Sequence, residues 1–214
     1  MKQIFLDTET TGLDPNQGHR VIEIAAIEFN NRQLTSNRFH TYINPDREID
    51  PAAQEVHGIT LDFLSDKPNF KDVASDFMDF LEGAEVVIHN APFDVGFLNM
   101  EFGRIGSDKL NSCCAKITDS LKLAKDIRPG QRNSLDALCR AYGVDNSSRS
   151  LHGALLDAQL LGEVYIHMTR GQEAFIIDFK EEISNDKISP INFDQLIVSE
   201  PQKDDISAHN SYLK

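Results

Sequence analysis

The sequence predicts an α/β domain: a sheet of mixed direction, with an antiparallel three-stranded meander continued by parallel strands, helices packed on it, and an extended C-terminal tail. Three observations predict it. Strand-like apolar runs come first, up to Pro45. From Phe70 onward, segments with apolar residues at helical spacing alternate with a short buried strand. After Gly171 no period persists: Pro190, Pro201 and repeated Asn and Ser leave only short apolar islands, with 4 basic residues against 9 acidic ones.

"KQIFLDTE" sets Ile4, Phe5 and Leu6 in succession, the mark of a strand covered on both faces and therefore central. "HRVIEIAAIEF" and "NRFHTYINP" read as two more strands, joined through "NNRQLTS", whose Asn30 and Asn31 suit a hairpin turn. Between residues 50 and 70, Pro51, Gly58 and Pro68 punctuate a mixed text that predicts short turns or one helical turn. "FKDVASDFMDFLEG" places Phe70, Val73, Ala74, Phe77, Phe80 and Leu81 on one helical face and ends at Gly83. "AEVVIHN" is a short buried strand, and "APFDVGFLNMEFGRIG" a helix with Pro92 in its first turn. "NSLDALCRAYG" is a helix capped by Ser134 or Asn133 and stopped by Gly143. The last long helix runs from about Gly153 to Thr169.

With 214 residues, 40% of them hydrophobic, the chain supports one substantial core. No apolar run approaches the roughly 18 residues of a membrane span. "MKQIFLDTET" passes from Met1 straight into a strand-like run without signal-peptide design, so a cytoplasmic protein with no membrane partner is expected. Cys113, Cys114 and Cys139 match neither a disulfide framework nor a zinc spacing and read as small buried hydrophobes. The net charge of -13 argues against a nucleic-acid partner on its face. It does not exclude a metal-dependent nuclease, which needs carboxylates at its site and only a local basic rim.

The acids carry the chemistry. In "LHGALLDAQLL", Asp157 projects from the same side as Leu160, Leu161, Val164 and Met168, the core-facing stripe, with no Lys or Arg within a helical turn. Asp94 shares its helix face with Phe97 and Leu98, and Asp7 and Glu9, two apart on a strand, leave the same face at the carboxyl end of the central strand. That edge of an α/β sheet is where ligands bind. Four acids in costly positions call for cations, and two divalent ions would cancel their charge; all-oxygen ligation selects Mg²⁺ or Mn²⁺ rather than zinc. His152 precedes Asp157 by five residues, about 140° of helical rotation, too far to share a ligand on one continuous helix. It is therefore expected in the turn before the helix, with Gly153 giving the backbone freedom, where a neutral imidazole can take a proton from a water held by the metals.

"FLDTETTGL", "VIHNAPFDVGF" and "SLHGALLDAQLL" resemble the three motifs of the DEDDh exonuclease family, over roughly residues 3 to 170. The resemblance implies a ribonuclease H-like fold and removal of nucleotides one at a time from 3′ ends, with two Mg²⁺ or Mn²⁺ per site. It implies Asp7, Glu9, Asp94 and Asp157 as metal ligands and His152 as the proton acceptor. Asp7, Thr8, Glu9, Thr10, His57 and Asp157 would hold the terminal nucleotide, and Leu13 would pack on its base. Ala52 stands where relatives can carry a substrate-touching Glu, so that contact is not expected.

Within the family, "DPAAQEVHGIT", "PGQRNSLDALC" and "NSSRSLHGALLDAQLLGEVYIHMT" are most similar to the proofreading branch that serves the bacterial replicative polymerase, DNA polymerase III. That implies the polymerase alpha subunit as partner, together with the sliding clamp and a small accessory subunit. Residues 1–170 form the expected exonuclease domain and 171–214 a flexible tail, in which Gln172, Phe175 and Ile177 are spaced loosely like a clamp-binding peptide. The alternative for that stretch is an apolar patch packed back on the nuclease domain. Two rivals stand beside this reading. A 3′ exoribonuclease of the same family would use the same residues, although "DTETTGL" and the tail look more like the DNA proofreaders. A non-catalytic nucleic-acid-binding module would have no need to bury four acids.

Overall fold

β1 (Lys2–Thr10) buries Ile4, Phe5 and Leu6 completely and runs through the middle of a five-stranded sheet, as its uninterrupted apolar run requires. The computed structural model describes residues 2–147 and 151–170, all within the unit Met1–Phe175. The expectations for the tail, Gln172, Phe175 and Ile177 included, lie outside the described residues.

β2 (Val21–Asn30) and β3 (Gln33–Tyr42) complete the antiparallel meander, and β4 (Glu85–Ile88) and β5 (Lys116–Asp119) add parallel strands on the other side of β1, in the order β3-β2-β1-β4-β5. The hairpin is tighter than the sequence suggests. Asn31 (φ 48°) and Arg32 (φ 66°) both take the left-handed conformation, whose twist matches that of the strands, so pairing resumes at Gln33 and β3 absorbs residues assigned to the connection. A left-handed arginine is unusual. Its guanidinium is held by the Ile166 carbonyl at 2.6 Å and the Thr169 hydroxyl at 3.1 Å, which ties the turn to the last helix.

The stretch between residues 50 and 70 is more helical than predicted: α1 (Pro51–His57) opens with Pro51 and closes on left-handed Gly58, and α2 (Leu61–Leu64) is capped by Thr60. Both are too short to establish an apolar period, so the sequence predicts only short turns or one helical turn there. α3 (Phe70–Leu81) and α4 (Ala91–Arg104) cover one face of the sheet, burying Phe77, Leu81, Phe97 and Phe102 against Ile4 and Leu6. β5 and α5 (Ser120–Ile127) had no counterpart in the sequence reading. "KITD" has no apolar period and is a strand only through pairing with β4, and Asp119 then caps α5 through the Leu121 and Lys122 N–H groups.

α6 (Leu135–Tyr142), capped by Ser134 and stopped by Gly143, and α7 (Ala154–Thr169) cover the opposite face, where Leu138, Leu161 and Val164 pack on Phe5 and Val87. Gly162 is required here. A Cβ would come within 2.6 Å of the Phe29 ring, so glycine lets α7 lie directly on β2. Cys139 is fully buried, as expected, but Cys113 and Cys114 are only half-buried, their thiols donating to the Leu110 carbonyl, because they sit in the loop before β5 rather than under a helix. Among the described residues no helix is long and apolar enough to cross a membrane.

Candidate active site

The carboxyl end of β1 carries residues to both faces of the sheet. Phe5, Asp7 and Glu9 alternate onto the α7 face, while Ile4, Leu6 and Thr8 face α4. α4 begins sharply because Asn90 holds a left-handed conformation (φ 68°), its N–H bonded to the Asp119 carboxylate. Asp94, in the first turn, is thereby turned back toward β1 and is 4% exposed. It accepts the Thr8 hydroxyl at 2.7 Å. Burial pushes its carboxyl up to about 7, against the Thr8 bond, and the negative charge of Asp119 pushes the same way.

Asp157 occupies the first turn of α7 and is equally buried, at 4%. His152 precedes the helix, as its spacing requires, with its side chain 47% exposed and Nδ1 3.3 Å from Asp157 Oδ2. Its backbone N–H bonds the Val56 carbonyl at 3.1 Å, so α1 pins the turn. One ligand atom each from Glu9, His152 and Asp157 lie within 4.8 Å of one another, an arrangement that fits a divalent cation. Asp7 and Asp94 stand outside that trio but line the same cavity of about 540 Å³. All five acid and imidazole candidates thus converge on one space.

The remaining candidates line a second, largely apolar cavity of about 370 Å³, which shares Thr8, Glu9 and Phe93 with the first and adds Thr10, Leu13, Ala52 and His57. Leu13 is 84% exposed at its mouth. The hydroxyls of Thr8 and Thr10 are already committed, to Asp94 and to the Gly12 carbonyl at 2.7 Å each. His57 accepts the Ile59 N–H at Nδ1, while its Nε2 is buried without a hydrogen-bond partner among the described residues. Burial lowers its pKa, favouring the neutral ring.

The sequence reading missed Lys125, which supplies a cation to the first cavity from α5, and His89, whose Nδ1 lies 3.0 Å from the Ser120 hydroxyl. The basic rim expected on general grounds was the only available signal for Lys125. Glu23 is a buried acid inside the apolar run "VIEIAA".

A family model described as exonuclease matches residues 4–165, which include every acid and imidazole of the site. The chain is 48% identical to DNA polymerase III subunit epsilon of Pasteurella multocida over 99% of this chain and 88% of that one. The chain belongs to the DEDDh exonuclease family. Another relative of this exonuclease, DNA polymerase III subunit epsilon of Escherichia coli, is 54% identical over 85% of this chain and 76% of its own. Among solved structures, exonuclease X in complex with 5′ overhanging duplex DNA superposes with a TM-score of 0.63 at 26% identity, covering 80% of this exonuclease and 93% of that chain. The nuclease domain of 3′hExo, a DEDDh family member bound to rAMP, shares the fold with a TM-score of 0.68 at 19% identity, over 79% and 92% of the two chains.

Proposed function

We infer that this exonuclease is the proofreading subunit of a DNA polymerase III, hydrolysing the 3′-terminal phosphodiester of single-stranded or frayed DNA and releasing nucleoside 5′-monophosphates. The observation that carries the reading is the convergence of Asp7, Glu9, Asp94, His152 and Asp157 on one cavity beside a largely apolar pocket that holds the buried His57. Asp7, Glu9, Asp94 and Asp157 would hold two Mg²⁺ or Mn²⁺. When bound, the metals activate the attacking water and stabilise the departing 3′ oxygen. His152, half-exposed at the cavity wall, takes the proton of that water. His57 and the backbone at Thr8 and Thr10 orient the terminal nucleotide, and Leu13 packs on its base. Metal and backbone contacts are indifferent to base identity, so selectivity for mispaired ends follows from how often an end frays into the site.

On the same reading the exonuclease works in the cytoplasm, bound to the polymerase alpha subunit through residues 171–214, and also engages the sliding clamp and a small accessory subunit. A tether of this kind keeps the nuclease at high local concentration beside the primer end. Digestion of primers with matched and mispaired 3′ ends, with and without Mg²⁺, tests the activity. Metal-dependent mononucleotide release, faster from the mispaired end, is expected; release that is independent of metal would overturn the reading. Faster digestion of a matched RNA than of the same DNA sequence would favour the exoribonuclease instead.

A further inference from the structure

Glu23 takes no part in the chemistry above, yet it is a glutamate buried to 2% exposure on β2. We propose that Glu23 is a positioning residue that sets His152 by capping α7 from outside the helix. The proposal rests on the exonuclease reading. Gly153, the N-cap of α7, has no side chain with which to bond the free N–H groups of the first turn. Glu23 Oε2 accepts the N–H of Ala154, the first residue of the helix, at 3.2 Å. Its Oε1 lies 2.8 Å from His40 Nε2, and the Tyr42 hydroxyl bonds the same carboxylate.

The sheet explains why the cap comes from here. In the strand register Glu23 stands directly opposite Glu9 on β1 and Tyr42 on β3, and opposed residues share a face. One carboxylate therefore joins the start of α7 to the row of the sheet that carries Glu9. A side chain at position 153 would reach the N–H groups of residues 155 or 156, one or two residues further into the helix, and would not fix the helix start relative to β1. A carboxylate is also suited to the positive end of a helix. His152 lies two residues before Ala154, and its own N–H is tethered to Val56. The backbone that carries the imidazole is thus held from α1 on one side and from β2 on the other, which sets the ring within 4.8 Å of the ligand atoms of Glu9 and Asp157. Releasing one tether displaces the ring, and a displacement of about 1 Å can cost on the order of 10²-fold in rate.

The test is a double-mutant cycle on the full chain, with single-stranded DNA as substrate and Mg²⁺ supplied, and each rate normalised to the folded fraction from thermal melts. Glu23→Ala is expected to lower kcat by about tenfold to a hundredfold with KM within about threefold, because Glu23 lines neither cavity. Glu23→Gln, whose amide oxygen still accepts from Ala154 and whose amide nitrogen can donate to His40, recovers most of the loss. In the His152→Ala background, Glu23→Ala should cost less than about twofold, since the group it positions is gone. A merely structural role predicts the same fold-loss in both backgrounds, and that result overturns the proposal. If Glu23→Ala does not fold, Glu23→Gln decides alone: a drop of about tenfold or more would count against positioning by hydrogen bond. A wild-type chain with no exonuclease activity sinks both readings, whereas an active wild type with an additive cycle sinks only this one.

Discussion

Glu101 and Asp94 sit on the same helix and are almost equally buried, at 2% and 4% exposure, but their surroundings differ in kind. Glu101 is clamped by Arg20, with Nε and Nη2 at 2.6 and 2.8 Å from its two oxygens, and also accepts the Val21 N–H. Asp94 accepts the Thr8 hydroxyl and backbone N–H groups, all uncharged donors, and faces the added negative charge of Asp119. Glu85 repeats the first pattern on β4, with Gln3, Lys116 and Thr118 on its carboxylate. Where the fold itself supplies cations and donors, a buried acid is a strut. Where it leaves acids facing one another across a cavity, their charge is held for something that arrives from outside, and folding bears the cost.

Removing an acid of the second kind should have the largest effect. Asp157→Ala should abolish nuclease activity, with excess Mg²⁺ or Mn²⁺ restoring little, because the proposed metal site loses one of its ligands. Retention of more than a small fraction of the wild-type rate would place Asp157 among the struts. His152→Ala should reduce the rate by about 10² to 10⁴ while leaving metal affinity nearly unchanged, and the residual rate should rise with pH as bulk base replaces the imidazole. Calorimetric metal titration separates the two variants; marked loss of binding on removing His152 would make it a ligand.

Breaking a strut should act on stability alone. Arg20→Ala leaves Glu101 buried and unpaired, so a destabilisation of about 3–5 kcal/mol is expected, with unchanged turnover per folded molecule. Denaturant melts and rate measurements on the same samples check both halves. Asp94→Asn should do the opposite in chelator: the amide avoids burying a charge while still accepting from Thr8, so the metal-free melting temperature should rise as activity falls. A lower melting temperature would mean that the Asp94 carboxylate is stabilising as it stands.

The smallest effect is expected at Glu85. Burial alone would raise its carboxyl, but the bonds from Thr118, Gln3 and Lys116 outweigh that and hold it below the ordinary 4.5. A depressed carboxyl contributes stability that is present above its unfolded pKa and is lost as pH falls through the lower, folded value. The acid limb of a stability-against-pH curve should therefore flatten slightly in Glu85→Gln. An unchanged limb would show that the network does not outweigh the desolvation.

The local chemistry of this chain was legible without coordinates. Alternation put Asp7 and Glu9 on one side of a strand, helical spacing put Asp94 and Asp157 on apolar faces, and the five-residue step from His152 to Asp157 argued against the two sharing a ligand on one continuous helix. Each of these follows from backbone geometry over a few residues, which sequence determines. The long helices and the central position of β1 followed from the same periodicities. α1, α2, β5 and α5 did not, because elements of four to eight residues draw their stability from neighbours rather than from their own pattern. Tertiary structure alone decided which acids are struts and which line the shared cavity. Arg20 is 81 residues from Glu101 and Glu23 is 131 from Ala154, so their pairing depends on how the sheet and helices assemble, a long-range outcome that no local spacing encodes.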